Sequence, residues 1–246
     1  MMSALRRSRV GRTIGSVLFA ANIYISGGAM ALAVKMFRWA RRLEVVGLEN
    51  LFQEGPTIVA YTHPTAADPA TIGGLFGKVF MRDPHRTPWS TPDKKNFWIW
   101  IPVWVRCIFI PRGSPAGVNA AFRIMRGRLR LGETITISPE AGRTSSGEKL
   151  GEEFEDLGHG LRIREFKKGG IGRLVEWVPD VTIVPVLVQF PEDSRNIFVA
   201  MFFPPIWRKM RIIVGTPYRY SKGVSRQEVI DQLRAKYRAL AATIKN

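Results

Sequence analysis

The chain has few cysteines, few histidines and few acidic residues, and each of these shortages limits the kinds of site or partner that the protein can have. One cysteine, Cys107, stands among 246 residues, so an internal disulfide bond is excluded. Only three histidines occur, and no Cys/His spacing resembles a zinc site. The 20 Asp and Glu stand against 37 Lys and Arg, and the net charge of +17 indicates an anionic partner or surface. With 46% hydrophobic residues, the chain can bury the core of one compact domain.

The first uncharged segment, residues 14–34, is long enough to cross a bilayer. Its hydrophobicity is modest because it contains Asn22 and several serines and glycines, and basic residues flank both ends. A spanning helix usually has one basic end. Symmetric flanks favour a helical hairpin, broken near Gly27 and Gly28, that dips into one leaflet and is anchored at anionic headgroups. A single spanning helix and an ordinary core helix are the alternatives. We therefore predict that residues 1–42 associate with a membrane and that residues 43–246 form the second unit.

Two later runs combine aromatic and basic residues. Trp98, Trp100 and Trp104 lie in one run, and Phe202, Phe203 and Trp207 lie in another. Tryptophan beside arginine is typical of a membrane-interface belt and equally of single-stranded nucleic-acid stacking. Composition alone therefore leaves a lipid surface and a nucleic acid as alternative partners.

After residue 42, short β-rich runs alternate with helical patterns, which predicts a single α/β domain. The predicted strands cover residues 57–61, 107–110, 134–137, 181–188, 196–203 and 211–214. Ser114 resembles a helix N-cap followed by Pro115 at the first helical position. Ser225 and Glu228 form a capping box that begins a C-terminal helix. We therefore expect a mixed central sheet flanked by helices, preceded by the N-terminal hairpin.

A His-x4-Asp motif, His63 to Asp68, follows the first predicted strand of the domain. Five residues along a regular helix rotate by roughly 140°, so the two side chains cannot face each other on one helix. They can meet across a turn if Asp68 lies near a helix N-cap with Pro69 at the first helical position. Asp68 would then accept from one imidazole nitrogen and leave the other to take a proton from an alcohol. A turn histidine beside a capping aspartate is the alternative.

Three further blocks follow this motif in order: residues 108–112, residues 138–144 and residues 184–186. Together with the Phe-Lys-Lys-Gly run at 166–169, the four blocks resemble the glycerolipid acyltransferase family, which includes the 1-acylglycerol-3-phosphate (lysophosphatidic acid) acyltransferases. The resemblance covers roughly residues 55–190. It implies a single acyltransferase catalytic domain over residues 43–246.

The resemblance also implies the roles of individual residues. His63 and Asp68 fall on the family's catalytic pair. Arg112 ends the Phe-x-x-Arg block, which holds the phosphate of the acyl acceptor. Glu140 and Arg143 fall on the first and last positions of the Glu-Gly-Thr-Arg block, which is also assigned to acceptor binding, and Gly142 between them is expected in the same site. Lys95 lies where the family often has a basic residue. No metal site is implied.

The chain departs from the family pattern at three points. Thr62 precedes the histidine where Asn is usual, and Arg106 stands where the second block usually opens with Gly. The third block reads Ala141-Gly142 where Gly-Thr is typical. We expect these changes to surround the acceptor pocket and to affect the choice of acceptor, since the catalytic pair itself is unchanged.

The resemblance implies an enzyme that moves a fatty acyl chain from a thioester to a lysophospholipid hydroxyl, with 1-acyl-sn-glycerol-3-phosphate as the expected acceptor and phosphatidic acid as the product. The same chemistry on an ornithine-type aminolipid or a glycolipid is an alternative. A basic nucleic-acid or membrane-binding protein without catalysis is an alternative of another class, although no RNP, helix-turn-helix or zinc-finger signature occurs. A Ser hydrolase is disfavoured because no Gly-x-Ser-x-Gly occurs, and a Cys hydrolase because Cys107 sits in an apolar run.

The expected partners follow from this chemistry. A thioester is already activated, so no prosthetic group is needed, and acyl-ACP (acyl carrier protein) or acyl-CoA (acyl-coenzyme A) serves as the co-substrate. The acceptor is a lysophospholipid, and the surface is an anionic phospholipid membrane. No nucleic acid is expected. We expect the chain on the cytoplasmic face of a membrane, specifically a bacterial inner membrane.

Overall fold

The structure of the chain is a computed structural model. It describes residues 17, 21, 23–64, 68–83, 86–94, 106–140, 154–159, 161–164, 166, 170–189, 209–220 and 223–244. The predicted strand at residues 196–203 and both tryptophan-containing runs lie outside these residues.

The N-terminal segment is helical through its glycine pair. A π-helical stretch, Ile23–Gly27, continues directly into α1, Gly28–Trp39. Gly27 has φ −66° and ψ −41°, which is ordinary helical geometry, so the predicted break at Gly27 and Gly28 is wrong. Within the described part of the chain, no helix combines the length and the apolar character that crossing a membrane requires.

The predicted boundary between residues 42 and 43 falls at the turn between α1 and the first strand. The elements that follow are β1 (Leu43–Val46), a 3₁₀ turn (Leu48–Leu51), β2 (Thr57–Tyr61), α2 (Asp68–Leu75), α3 (Gly77–Arg82), β3 (Trp89–Ser90), α4 (Pro115–Arg130), β4 (Thr134–Ile137), β5 (Phe154–Gly158), β6 (Leu161–Arg164), α5 (Gly170–Trp177), β7 (Thr182–Gln189), β8 (Met210–Val214), β9 (Tyr218–Arg219) and α6 (Arg226–Ala242). Helices and strands therefore alternate, as an α/β domain requires.

Seven strands form one mixed sheet in the order β1-β8-β7-β2-β4-β3, with β9 paired to β7. The central strand β2 runs parallel to both neighbours, with Ala60 opposite Ile137 of β4 and Pro185 of β7. β8 and β9 run antiparallel to β7, and β5 and β6 form a separate antiparallel hairpin. All five residues of β2 are buried, as expected for a strand covered on both faces. The expected mixed central sheet is confirmed.

Two helical layers cover the sheet. On one face Ile58 of β2 shares a core with Phe122 of α4 and with residues of α5 and α6. On the other face Val59 shares a core with Val34 of α1 and with α2. Helix α1 lies very close to its neighbours, because a Cβ added to Gly77 would come within 2.4 Å of the Ala31 Cβ. The sheet therefore separates α1 from α4.

Most predicted local signals are found at their expected places. The Ser114 side chain accepts from the Gly117 N–H and begins α4, and the Ser225 side chain accepts from the Glu228 N–H and begins α6. The predicted strand at 107–110 is wrong as a regular strand. It makes isolated bridges to Ser90 of β3 and to Asp93, because Pro92 between them has no N–H to continue the ladder.

Candidate active site

The motif-bearing segments meet at one edge of the sheet. His63 follows the carboxyl end of β2, and Glu140 follows that of β4. Arg112 follows residues 107–110, which run parallel to β3 and to the segment after it. Because these strands are parallel, their carboxyl ends lie together, and this edge is where open α/β sheets bind ligands. The sheet topology thus brings together side chains that are far apart in sequence.

His63 and Asp68 are in direct contact. The Nδ1 atom of His63 lies 3.2 Å from Oδ2 of Asp68, across the turn between β2 and α2. The Asp68 side chain is fully buried, whereas 16% of the His63 side chain is exposed. Asp68 opens α2, where the helix dipole favours a carboxylate. With Nδ1 engaged, Nε2 is the ring nitrogen that can take a proton.

Tyr61 contacts His63, and its pKa is shifted by the charged groups around the pair. Its ring contacts the His63 ring edge-on, with 5.9 Å between centroids. Burial raises the pKa of Tyr61 far above its usual range, the negative charges of Asp68 and Glu140 raise it further, and the positive charge of Arg112 lowers it. The phenol therefore stays protonated. Both carboxylates and the guanidinium act on one small region around His63.

The main chain next to His63 is held by side-chain oxygens on both sides. The N–H of His63 donates to Oε1 of Glu140 at 3.0 Å. On the other side, the N–H of Val188 donates to Oγ1 of Thr62 at 2.8 Å. Glu140 is only 2% exposed, and its bond to the His63 N–H occupies one of its two carboxylate oxygens inside the protein. This contact is additional to the acceptor-binding role predicted for Glu140.

Arg112 lies at the rim of the site. Its Nε is 3.5 Å from Oδ2 of Asp93, and 40% of its side chain is exposed. Asp93 belongs to the segment that pairs with residues 107–110, through the bond from Lys94 N–H to the Ile110 carbonyl. The guanidinium thus places a positive charge at the rim, close enough to His63 to lower the pKa of the neighbouring Tyr61.

Other predicted residues are elsewhere or are not described. Lys95, Gly142 and Arg143 lie outside the described residues, and so does Ala141. Arg106 was expected near the acceptor pocket, and this expectation is wrong. It bonds Glu133 at 3.0 Å and stacks on Trp89, at the amino edge of β4 and away from His63. Thr62 directly precedes His63, and its expected place beside the acceptor pocket stays a prediction.

The sequence did not single out three residues that belong to this region. Asp93 belongs to no motif of the sequence, and the sequence indicates for Tyr61 only that it lies in a strand. Tyr237 lies among the buried, mostly apolar residues of α6, yet burial and the charge of Glu140 raise its pKa well above the usual range. Within the described residues, the Tyr237 hydroxyl has no hydrogen-bond partner. A phenol inside an apolar stripe is the one signal that could have marked it.

Neither a thiol nor a metal cluster is built into the described part of the site. Burial raises the pKa of Cys107 to about 12, so its thiol is protonated at neutral pH and is a poor nucleophile. Among the described residues, no group of three His, Cys, Asp or Glu side chains converges as metal ligands would. Of the described residues at this edge of the sheet, the contacting His63 and Asp68 side chains can exchange a proton with a bound group.

Comparison with known proteins agrees with the fold. The sequence model of the acyltransferase family matches residues 42–189, which is more than half of the chain. The fold is similar to the crystal structure of the 1-acyl-sn-glycerophosphate (LPA) acyltransferase PlsC from Thermotoga maritima. That match has a TM-score of 0.54 and 15% identity, and it covers 96% of this chain and 99% of that chain. No curated protein sequence matches the chain.

Proposed function

The chain belongs to the acyltransferase family, and from this premise we propose that it acylates the free hydroxyl of a lysophospholipid. The proposed acceptor is 1-acyl-sn-glycerol-3-phosphate, which would give phosphatidic acid. The acyl donor is a thioester of acyl carrier protein or coenzyme A. The observation that carries the proposal is the 3.2 Å contact between His63 Nδ1 and Asp68 Oδ2 at the carboxyl edge of the sheet.

His63 acts as the general base in this proposal. Its Nε2 takes the proton of the acceptor hydroxyl as that oxygen attacks the thioester carbonyl, and Asp68 stabilises the imidazolium that forms. The tetrahedral intermediate then expels the thiolate, the imidazolium returns the proton to sulfur, and an ester and a free thiol remain. The donor is activated already, so the step needs no covalent enzyme intermediate.

Arg112 and Arg143 supply the acceptor's phosphate with charge-assisted hydrogen bonds in this proposal. Holding the phosphate also directs the hydroxyl toward His63, which makes the attack effectively intramolecular. The exposed position of Arg112 at the rim supports this role, since an incoming anion can reach the guanidinium from solvent. Lys95 and Gly142 would complete the acceptor site.

Product analysis by mass spectrometry tests the function. The purified full chain is incubated with acyl-CoA or acyl-ACP and a panel of lysophosphatidate, other lysophospholipids, a lyso-ornithine lipid and a lyso-glycolipid. We expect the largest turnover with lysophosphatidate. Preference for the aminolipid or the glycolipid would replace the acceptor but keep the chemistry. No acylated product with any acceptor, together with salt-sensitive RNA binding, would favour the nucleic-acid alternative instead.

Replacing Arg112 by alanine should raise the KM for lysophosphatidate and leave that for the acyl donor nearly unchanged. Loss of a charge-assisted hydrogen bond costs about 1.5–3 kcal/mol, which corresponds to about 10- to 150-fold. Arg123→Ala is the matched control, because Arg123 is an exposed arginine of α4. Steady-state kinetics on both substrates decide the outcome. A rise in the donor KM instead would assign Arg112 to the carrier-binding surface.

We propose that α1 binds the surface of an anionic membrane, specifically the cytoplasmic face of a bacterial inner membrane. Leu32, Met36 and Trp39 form one stripe on the outside of this helix, and Trp39 is 86% exposed. Lys35 and Arg38 are exposed beside the stripe. An apolar stripe with aromatic and basic neighbours suits the interface between headgroups and acyl chains. This orientation would supply lipid acceptors directly from the bilayer.

Trp39→Ser should weaken binding to anionic vesicles about tenfold, since burying one large apolar side chain contributes roughly 1.5 kcal/mol or more. Leu131→Ser is the matched control, because Leu131 is 72% exposed at the end of α4, a helix that packs on the opposite face of the sheet from α1. Cosedimentation at low and high salt measures both effects, and binding should fall with salt as the attraction of Lys35 and Arg38 is screened. Equal weakening by both variants would contradict the assignment to α1.

A further inference from the structure

The chain leaves the sheet at Thr62 by an unusual last step. Tyr61 of β2 lies opposite Val186 of β7, and the Thr62 N–H donates to the Val186 carbonyl at 3.0 Å. In a continued parallel ladder, the next bond would run from the Val188 N–H to the main-chain carbonyl of Thr62. The acceptor is instead Oγ1 of Thr62, at 2.8 Å. The Thr62 side chain thus takes the place of its own carbonyl and frees the main chain to turn.

The following residues complete this departure. Pro64 has no N–H, so it cannot donate the next bond of the ladder toward β7. The N–H of His63 faces the other neighbouring strand and donates to Glu140, just beyond β4. The main chain at residues 62 and 63 is therefore held toward β7 by the N–H and the hydroxyl of Thr62, and toward β4 by the Glu140 carboxylate.

Burial makes the Thr62 bond costly to lose. Thr62 is 2% exposed and Val188 is 1% exposed, so water does not readily replace a missing partner there. Two side-chain torsions connect the His63 main chain to its ring. Once the main chain is fixed, few rotamers bring Nδ1 to Asp68, and a shift of about 1 Å at a reacting group can cost roughly 100-fold in rate.

We propose that Thr62 is a positioning residue, whose hydroxyl holds the main chain of His63 against β7 and thereby keeps the imidazole on Asp68. The inference rests on the acyl transfer proposed above and deepens it. Thr62 touches neither substrate in this scheme. Thr62 affects the rate of acyl transfer only because it fixes the position of the His63 ring.

Thr62→Val tests this, because valine keeps the shape and removes the acceptor for the Val188 N–H. We expect kcat to fall about 10- to 100-fold while both KM values stay within about twofold. Thr62→Ser keeps a hydroxyl and should restore most of kcat. Thr57→Val is the matched control: Thr57 is equally buried at the amino end of β2, and its Oγ1 donates to the Gly55 carbonyl. If Thr62→Val does not fold, Thr62→Ala removes the same hydroxyl and should lower kcat in the same way.

Amide hydrogen exchange, followed by NMR on the full chain in detergent, gives a readout independent of turnover. Thr62→Val should speed exchange at the His63 N–H at least about tenfold, although Thr62 does not bond that amide. Thr57→Val should not. Unchanged exchange at His63, or unchanged kcat in a folded Thr62→Val variant, would overturn the inference. If the wild-type chain acylated no acceptor, the proposed function would fail, and exchange at His63 would still decide whether Thr62 holds this segment.

Discussion

Replacing His63 by alanine should reduce acyl transfer by roughly 10⁴-fold, the upper end of what general acid–base catalysis contributes. Without the imidazole, no group at Nε2 takes the hydroxyl proton, and the Asp68 carboxylate cannot reach it across the gap that the ring filled. The fold should persist, because the His63 side chain is partly exposed and its main-chain bond to Glu140 does not depend on the ring. Turnover of lysophosphatidate, measured with circular dichroism as a check of folding, decides the outcome.

His159→Ala is the matched control for this variant. His159 is exposed in the turn of the β5–β6 hairpin, at a positive φ of 54°. Its loss should leave turnover within about twofold, as is usual for a surface substitution away from a site. Near-wild-type activity of His63→Ala would reject the general-base mechanism.

Replacing Asp68 by asparagine should lower kcat by roughly 10²- to 10⁴-fold with little change in either KM. The amide has nearly the shape of the carboxylate and is acceptable at the start of α2, so the fold is expected to remain. It carries no charge to stabilise the imidazolium, and its NH₂ group can favour the wrong tautomer of His63. The effect is therefore expected in the chemical step.

The charge-matched control is Asp231→Asn. Asp231 is exposed on α6 and accepts from the Gln227 side chain, so this variant removes one negative charge from the surface. The kcat of Asp231→Asn, measured at several pH values, should equal that of the wild-type chain. An Asp68→Asn variant that raised KM and kept kcat would show that Asp68 serves binding, which would contradict its role as the partner of His63.

These variants differ in how far the sequence alone could suggest them. His63 and Asp68 were predictable because they lie five residues apart, and a short turn after an apolar strand is enough to join them. The order of the four blocks pointed to Arg112 and Glu140. Thr62 was noticed only as a departure from the family pattern, and its bond to Val188 spans 126 positions of the chain.

Several expectations were wrong for identifiable reasons. The glycine pair at 27 and 28 suggested a break, but glycine permits a turn without imposing one, and packing of α1 on α2 and α3 keeps the helix continuous. Arg106 was grouped with the acceptor pocket by its position in a motif. Its guanidinium instead contacts Glu133 and Trp89. The position of a long side chain is set by the charged and aromatic groups within its reach, which a sequence motif does not specify.

The sequence by itself determined the strands β2, β4, β7 and β8, the caps of α4 and α6, and the local His63–Asp68 pair. These depend on hydrophobic runs, on side chains that bond main-chain atoms three residues away, and on one short turn. Only the tertiary structure decided that Glu140 bonds the His63 main chain, that Asp93 orients Arg112, and that Tyr237 lies close enough for the Glu140 charge to affect it. The physical reason is that local signals act along the chain, whereas these contacts arise from parallel strands whose carboxyl ends meet after long connections.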